Sequence, residues 1–210
     1  RRILGVSLLL LALVPAVLVA WLMTRASAQV VEEMAGSLLT HVAERVQLGT
    51  EDHLRQAHDV LNGLLSAQLT PAETAQAREW LRNPASFEAM AFALTRQSPD
   101  VPLVYFGNAM GAYLGVETTA EGVKVGIRRA DGVGRSFYLA RQPGDRGKPF
   151  AVEDMSFEPR LRAWYGGAVA AKGRVFSPVR VPRESQELVV SLSQPVYDDE
   201  GGVAGVFGAD

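Results

Sequence analysis

The chain has 210 residues and a formal net charge of −2, from 21 basic and 23 acidic side chains. This length suffices for one sizeable hydrophobic core with an additional element. The charge balance provides no general basic field, so we expect no nucleic-acid partner. Cysteine is absent, which excludes disulfide bonds and thiolate metal sites but identifies no cellular compartment.

The N-terminal segment is an uncharged, apolar run over residues 3–23 that is long enough to cross a bilayer as a helix. Two arginines precede the run and Trp21 lies near its end, where an interfacial residue is expected. We therefore predict a transmembrane helix over residues 1–23, with the rest of the chain on the periplasmic side of the inner membrane. The alternative is a cleaved signal peptide, because the small residues at 26–28 resemble a cleavage site, although the apolar run exceeds the usual signal core.

A long amphipathic helix is predicted over residues 24–69, because apolar side chains recur there at steps of three or four. Its lower part can pair with the same helix of a second copy, so we expect a homodimer. All three histidines of the chain lie in this stalk segment. Their spacings do not stack two of them on one helical face, so we expect no metal site.

Residues 70–210 are predicted to form one α+β lobe. A capping box at 70–73, with proline at the first helical position, predicts a short helix ending near Arg82, and a second helix is expected over 86–96. Alternating patterns then predict strands, an irregular segment and a connecting helix, in the order 103–106, 112–116, 123–127, 136–139, irregular 142–154, helix from Pro159 to about 172, then strands at 174–181, 187–197 and 203–207. This order predicts an antiparallel sheet of about five or six strands with helices on one side.

The segment at 157–165, Phe-Glu-Pro-Arg-Leu-Arg-Ala-Trp-Tyr, places two guanidinium groups close to three aromatic rings. A guanidinium can hold a carboxylate with two parallel hydrogen bonds, and Trp and Tyr offer flat, partly polar walls. A helix that starts at Pro159 would place Arg162 and Tyr165 on one face. The segment therefore has two interpretations: a site for a small anionic or zwitterionic ligand, or a helix whose aromatic residues belong to the core.

Three segments resemble motifs of the double Cache subfamily, whose members are extracytoplasmic, PAS-like sensor domains of bacterial receptors. They are residues 157–165, residues 191–198 (SLSQPVYD) and residues 205–210 (GVFGAD). A weaker similarity, at 105–108 and 114–116, is to Cache domains joined to class III nucleotide cyclases. The resemblance implies a membrane-distal sensor lobe of a longer transmembrane receptor. Such a receptor would continue into a membrane-proximal lobe and a cytoplasmic cyclase, kinase or chemotaxis module.

The resemblance also implies a set of ligand-binding residues. In amino-acid-sensing members of the subfamily, an Arg and a Trp two residues apart hold the ligand carboxylate, a neighbouring Tyr shapes the pocket, and a late Asp takes the ammonium group. The matching positions here are Arg162, Trp164, Tyr165 and Asp210. No cofactor and no catalytic residue within this chain are implied.

The sequence departs from the family pattern at Phe157, where the family has Tyr, and near Val179 and Val181, where the family has a Tyr and an Asp. The carboxylate half of the site is thus better preserved than the amine half, which implies a small carboxylate or amino-acid-like ligand. Two alternatives remain at this stage: a membrane-anchored dimerisation or interaction module without a ligand, and a membrane-tethered hydrolase. Arg128, at a strand end, is expected to be solvated.

Overall fold

The computed structural model describes residues 51–52, 54–153, 156–181 and 188–210. The predicted transmembrane helix and the predicted stalk as far as residue 50 lie outside the described residues. Within the described ranges, no helix is long and apolar enough to cross a membrane. The unit Asp52–Asp210 is compact. The first described helix, α1, covers residues 51–52 and 54–64.

Helix α1 ends before the predicted boundary at residue 69, because the chain turns there toward the next helix. The backbone N–H and the hydroxyl of Ser66 both donate to the carboxylate of Glu73, at 3.2 and 2.9 Å. Glu73 belongs to the capping box of α2 (Pro71–Arg82), where it also accepts the backbone N–H of Thr70. These bonds, led by the backbone N–H of Thr70, lower the pKa of Glu73 to about 2. The predicted capping box and the helix end at Arg82 are confirmed.

Helix α3 covers Pro84–Gln97, again with proline at its start, and eight antiparallel strands follow it within the described ranges. They are β1 (Leu103–Asn108), β2 (Tyr113–Thr119), β3 (Gly122–Arg128), β4 (Ser136–Ala140), β5 (Ala151–Val152), β6 (Val175–Phe176), β7 (Leu192–Tyr197) and β8 (Val203–Ala209). Their order in the sheet is β5-β4-β3-β2-β1-β8-β7-β6. The α+β class and the antiparallel sheet are confirmed. The sheet is wider than predicted because the two-residue strands β5 and β6 extend its edges.

The two faces of the sheet are both covered, so the prediction of helices on one side is wrong. Along β1, Val104 and Phe106 belong to the larger core, which contains the buried side chains of α1, α2 and α3. Tyr105 points to the opposite face and belongs to a second core with residues of α4 (Ala163–Ala171). Because the second face is also apolar, it requires a cover of its own, and α4 provides it.

The sequence pattern predicts one continuous helix from Pro159, but the structure interrupts it. A single 3₁₀ turn, Pro159–Leu161, is followed by Arg162 in an extended conformation (φ −86°, ψ 145°), and only then does α4 begin. Arg162 is exposed while Tyr165 is buried, so the two side chains do not share one helical face. The predicted end of the helix is confirmed, with Lys172 in the left-handed conformation at its C-cap.

Candidate ligand-binding site

The second core is a layer of aromatic rings between the sheet and the segment at residues 156–171, which we call the roof. Tyr105, Tyr113 and Val206 contribute from the sheet, and the predicted site residues Phe157, Trp164 and Tyr165 contribute from the roof. The rings meet edge to face, with 4.8 Å between the centroids of Tyr105 and Trp164 and 5.1 Å between those of Tyr113 and Phe157. The structure thus brings three of the five predicted site residues into one buried cluster.

Two glycines on this face of the sheet allow the rings to lie close to the backbone. A Cβ on Gly107 would lie 2.8 Å from Cβ of Pro159 and 2.9 Å from Cη2 of Trp164. A Cβ on Gly208 would lie 2.6 Å from Cζ of Tyr105. Any larger residue at either position would displace the roof or the Tyr105 ring. The glycines therefore fix the distance between the sheet and the roof.

Charged groups fasten the roof to the β1–β2 turn. Arg160 forms bidentate hydrogen bonds with Glu158, in which Nε and Nη2 donate to the two carboxylate oxygens at 2.8 and 3.0 Å. Arg128 donates to the same carboxylate at 3.3 Å and also to the carbonyl of Gly111. The hydrogen bond from Arg160 is the main reason that the pKa of Glu158 falls to about 2. Arg128 is only 9% exposed, so the prediction that it is solvated is wrong: it is an internal tie of the roof.

Asp210 lies directly after β8, at the edge of the aromatic cluster, and its side chain is 6% exposed. The hydroxyl of Tyr105 donates to Oδ1 at 2.7 Å, and Nη2 of Arg180 donates to Oδ2 at 2.5 Å. Burial raises the pKa of Asp210 above its ordinary value, while these two donors act in the opposite direction. Burial, together with the nearby Asp210 charge, also raises the pKa of Tyr105 well above its ordinary value. Tyr105 thereby links Asp210 to the ring of Trp164.

Arg180 lies in a short ribbon that continues β6 and β7 beyond their ends. Its backbone forms a reciprocal pair with Val189, with N–H to carbonyl distances of 2.9 and 2.8 Å. The flanking Val179 and Val181 are 62% and 60% exposed, whereas the Arg180 side chain reaches Asp210. The two valines therefore lie on the outer side of the ribbon, and Arg180 is the residue of this segment that faces the site.

Arg162 lies at the margin of the cluster, where its guanidinium carbon is 4.6 Å from the ring centroid of Phe157. Arg135 covers the same ring at 3.8 Å and is paired with Glu153 at 2.7 Å. In the part of the chain that the structure describes, no carboxylate forms an ion pair with Arg162. Among the described residues no side chain caps α4, and the backbone N–H of Tyr165 already donates to the carbonyl of Arg162 at 3.0 Å, so Ala163 and Trp164 are the first-turn residues whose N–H groups could donate to a ligand. The start of α4 therefore has two features that favour a carboxylate.

Ser193 adds a buried hydroxyl to the same face of the sheet. It lies opposite Gly208 in the β7–β8 register, and residues paired in this way share a face. Its side chain is fully buried, and its hydroxyl has no hydrogen-bond partner among the described residues. A buried polar group without a partner is costly, so a ligand oxygen or nitrogen near Ser193 would be stabilising.

The arrangement is suited to binding a small molecule that has an apolar body and a charged end. Among the described residues, no group of three His, Asp or Glu side chains could hold a metal ion. Sequence reasoning missed four residues of the site: Tyr105, Tyr113, Arg180 and Ser193. Strand alternation contains a signal for the tyrosines, because they occupy the face opposite the aliphatic and phenylalanine positions of β1 and β2.

No family model and no curated protein matches the chain. Solved structures similar to it include the ligand-binding domain of the Campylobacter jejuni chemoreceptor Tlp3 with 4-methylisoleucine (15% identity, TM-score 0.41, covering 80% of this chain and 52% of that chain). Another is the ligand-binding domain of the Pseudomonas fluorescens chemoreceptor CtaA with L-isoleucine (17% identity, TM-score 0.38, 80% and 51%). The chain spans about half the length of these domains.

Proposed function

We propose that the unit Asp52–Asp210 is a ligand-sensing lobe of the Cache type, which binds a small carboxylate or amino-acid-like ligand between the sheet and the roof. The observation that carries the proposal is the buried aromatic cluster with Arg162 at one margin and Asp210 at the other. A ligand that bound beside these rings would be shielded from water, which strengthens hydrogen bonds to its charged ends.

The ligand carboxylate would bind at the start of α4. Arg162 supplies a forked donor there, and the first-turn N–H groups of α4 point toward the same end of the helix. Hydrogen bonds to a charged group contribute about 1.5–3 kcal/mol each. The apolar part of the ligand would lie against Trp164 and Tyr165, whose rings are 5.6 Å apart.

The lobe would act within a membrane receptor. The helix over residues 1–23 would anchor it to the inner membrane, with the lobe in the periplasm, and the stalk would pair with that of a second copy. Ligand binding would shift the equilibrium between two arrangements of the paired helices, by as much as its affinities for the two arrangements differ. The output would be a separate signalling module, such as a nucleotide cyclase, a kinase or a chemotaxis module, and no reaction would occur in this lobe.

A thermal-shift screen of the purified chain against small carboxylates and amino acids tests the proposal. A ligand that binds only the folded state and is present at a concentration of about 100 times its Kd stabilises that state by about 2.7 kcal/mol. We expect a hit that the Arg162→Ala variant abolishes. The matched control is Arg129→Ala, which removes a guanidinium that is 86% exposed and paired with Asp131. Hits that survive Arg162→Ala would contradict the proposed site. A screen without any hit would favour a ligand-free dimerisation or interaction module.

A further inference from the structure

Asp210 is the carboxylate that would receive the ammonium group of an amino-acid ligand, and both of its oxygens already have donors. Tyr105 supplies a hydroxyl at 2.7 Å to one oxygen, and Arg180 supplies a guanidinium N–H at 2.5 Å to the other. The carboxylate is 6% exposed, so water contributes little to its solvation. Its negative charge is therefore balanced within the protein, by Arg180.

The backbone places Arg180 beside Asp210, where its side chain is 43% exposed. The reciprocal hydrogen bonds between Arg180 and Val189 fix the ribbon, and strand alternation directs the Arg180 side chain to the side away from its two exposed valine neighbours. The ion pair between Arg180 and Asp210 therefore forms within the chain and is present without a ligand. A ligand ammonium would have to displace Arg180 or share Asp210 with it, and two like charges at one carboxylate repel each other.

The charges around the aromatic cluster also favour an anion. Among the described residues, five guanidinium groups, one ammonium group and four carboxylates lie around it, which leaves a surplus of two positive charges. The cations belong to Arg128, Arg135, Arg160, Arg162, Arg180 and Lys124, and the carboxylates to Glu117, Glu153, Glu158 and Asp210. A ligand with a net charge of −1 or −2 reduces this surplus, whereas a zwitterion leaves it unchanged.

We infer that Arg180 is a specificity-determining residue, which occupies the ammonium position at Asp210 and makes the site select carboxylates that lack an α-ammonium group. The inference rests on the proposed function and narrows its ligand class. Arg162 and the start of α4 hold the ligand carboxylate, and the aromatic rings hold its apolar part. Arg180 excludes the amino acid of the same shape.

Matched ligand pairs that differ only in the α-ammonium group test this inference by calorimetric titration of the full chain. Suitable pairs are 4-methylpentanoate with L-leucine, propanoate with L-alanine, and succinate with L-aspartate. We expect the unsubstituted chain to bind the carboxylate of at least one pair about tenfold tighter than its amino acid. In Arg180→Gln, the affinity for the carboxylate relative to that for its amino acid should fall by about tenfold or more. The reason is that Asp210, no longer paired with Arg180, can accept a charged hydrogen bond from the ammonium group.

Two further variants separate the charge of Arg180 from general damage to the ribbon. Arg180→Lys keeps a cation and should retain the preference for the carboxylate. Val179→Gln introduces the same amide one residue away, on the outer side of the ribbon, and should leave the ratio unchanged.

The inference is overturned if the unsubstituted chain binds the amino acid as tightly as its matched carboxylate, or if Arg180→Gln leaves the ratio unchanged. Binding of neither member of any pair would instead overturn the proposed function, and the inference with it. The two failures are therefore distinguishable.

Discussion

The hydrogen bond between Tyr105 and Asp210 gives the sharpest prediction about the site, through the Tyr105→Phe variant. The change removes one hydroxyl and keeps the ring, which contacts Trp164 at 4.8 Å between centroids. The lost bond is 2.7 Å long and ends on a carboxylate that is 6% exposed. Such a bond to a charged, buried acceptor contributes about 1.5–3 kcal/mol to the free energy of unfolding. For a unit of this size the melting temperature should fall by roughly 3–12 °C.

The cost of Tyr105→Phe should depend on pH in a defined direction. The hydroxyl stabilises the ionised form of Asp210, so its loss raises the pKa of Asp210 further above the ordinary value. The stability difference between the two proteins should be full at a pH well above the pKa of Asp210, where the group is ionised. It should shrink as acid protonates Asp210, because the protonated group needs the donor less. Urea unfolding at pH 7 and at the lowest pH that keeps both proteins folded measures this change.

Tyr197→Phe is the matched control for this experiment. The Tyr197 hydroxyl is buried and has no hydrogen-bond partner among the described residues, so its removal should be neutral or slightly stabilising. If Tyr105→Phe costs no more than Tyr197→Phe, the hydroxyl does not support Asp210. A cost that stays constant into acid would equally contradict the assignment of the bond to the ionised carboxylate.

Two other changes to the roof have defined outcomes. Gly107→Ala should cost about 1–3 kcal/mol in urea unfolding and weaken ligand binding, because the new methyl group would contact Pro159 and Trp164. The matched control is Gly166→Ala in α4, where an added Cβ would have no neighbouring atom within 4 Å, so the change should stabilise the fold by up to about 1 kcal/mol. Equal effects of the two variants on the free energy of unfolding would refute the close approach at Gly107. The pKa of Glu158 falls from 4.5 to about 2, so its ionised form stabilises the fold above pH 4.5, and this stability is lost as the pH falls through 2. In Glu158→Gln, the free energy of unfolding should therefore change less with pH between 4.5 and 2. An unchanged pH dependence in this range would contradict the role of Glu158.

The helices and strands were predictable where local chemistry determines them. The capping box of Thr70 and Glu73 acts within one turn of chain, and the start of α2 follows from it. The second helix was predicted from residue 86, two residues after its observed start at Pro84. Strand alternation likewise separates Val104 from Tyr105, although two-residue edge strands contain too few positions to show a period. Local patterns therefore sufficed for the class of fold and for most element boundaries.

The site was predictable only in part, because its charged groups are arranged by contacts between distant segments. The aromatic residues at 157, 164 and 165, which the family resemblance grouped together, are in one cluster. The break at Arg162 depends on the turn that Glu158 and Arg160 stabilise, which the helical pattern of the segment conceals. The pairing of Arg180 with Asp210 joins residues thirty positions apart, and it requires the ribbon that carries Arg180. No local pattern contains that information.

The indole resonance of Trp164 tests the central claim, that a small carboxylate binds between the sheet and the roof. The ring of Trp164 lies in the aromatic cluster, whereas that of Trp80 packs against Phe87 in the opposite core and provides an internal control. On titration of the isotope-labelled chain with the carboxylate that gives the largest thermal shift, we predict a saturable shift of the Trp164 indole N–H while that of Trp80 stays fixed. A Trp164 resonance that does not move when ligand binding is saturated would contradict the account.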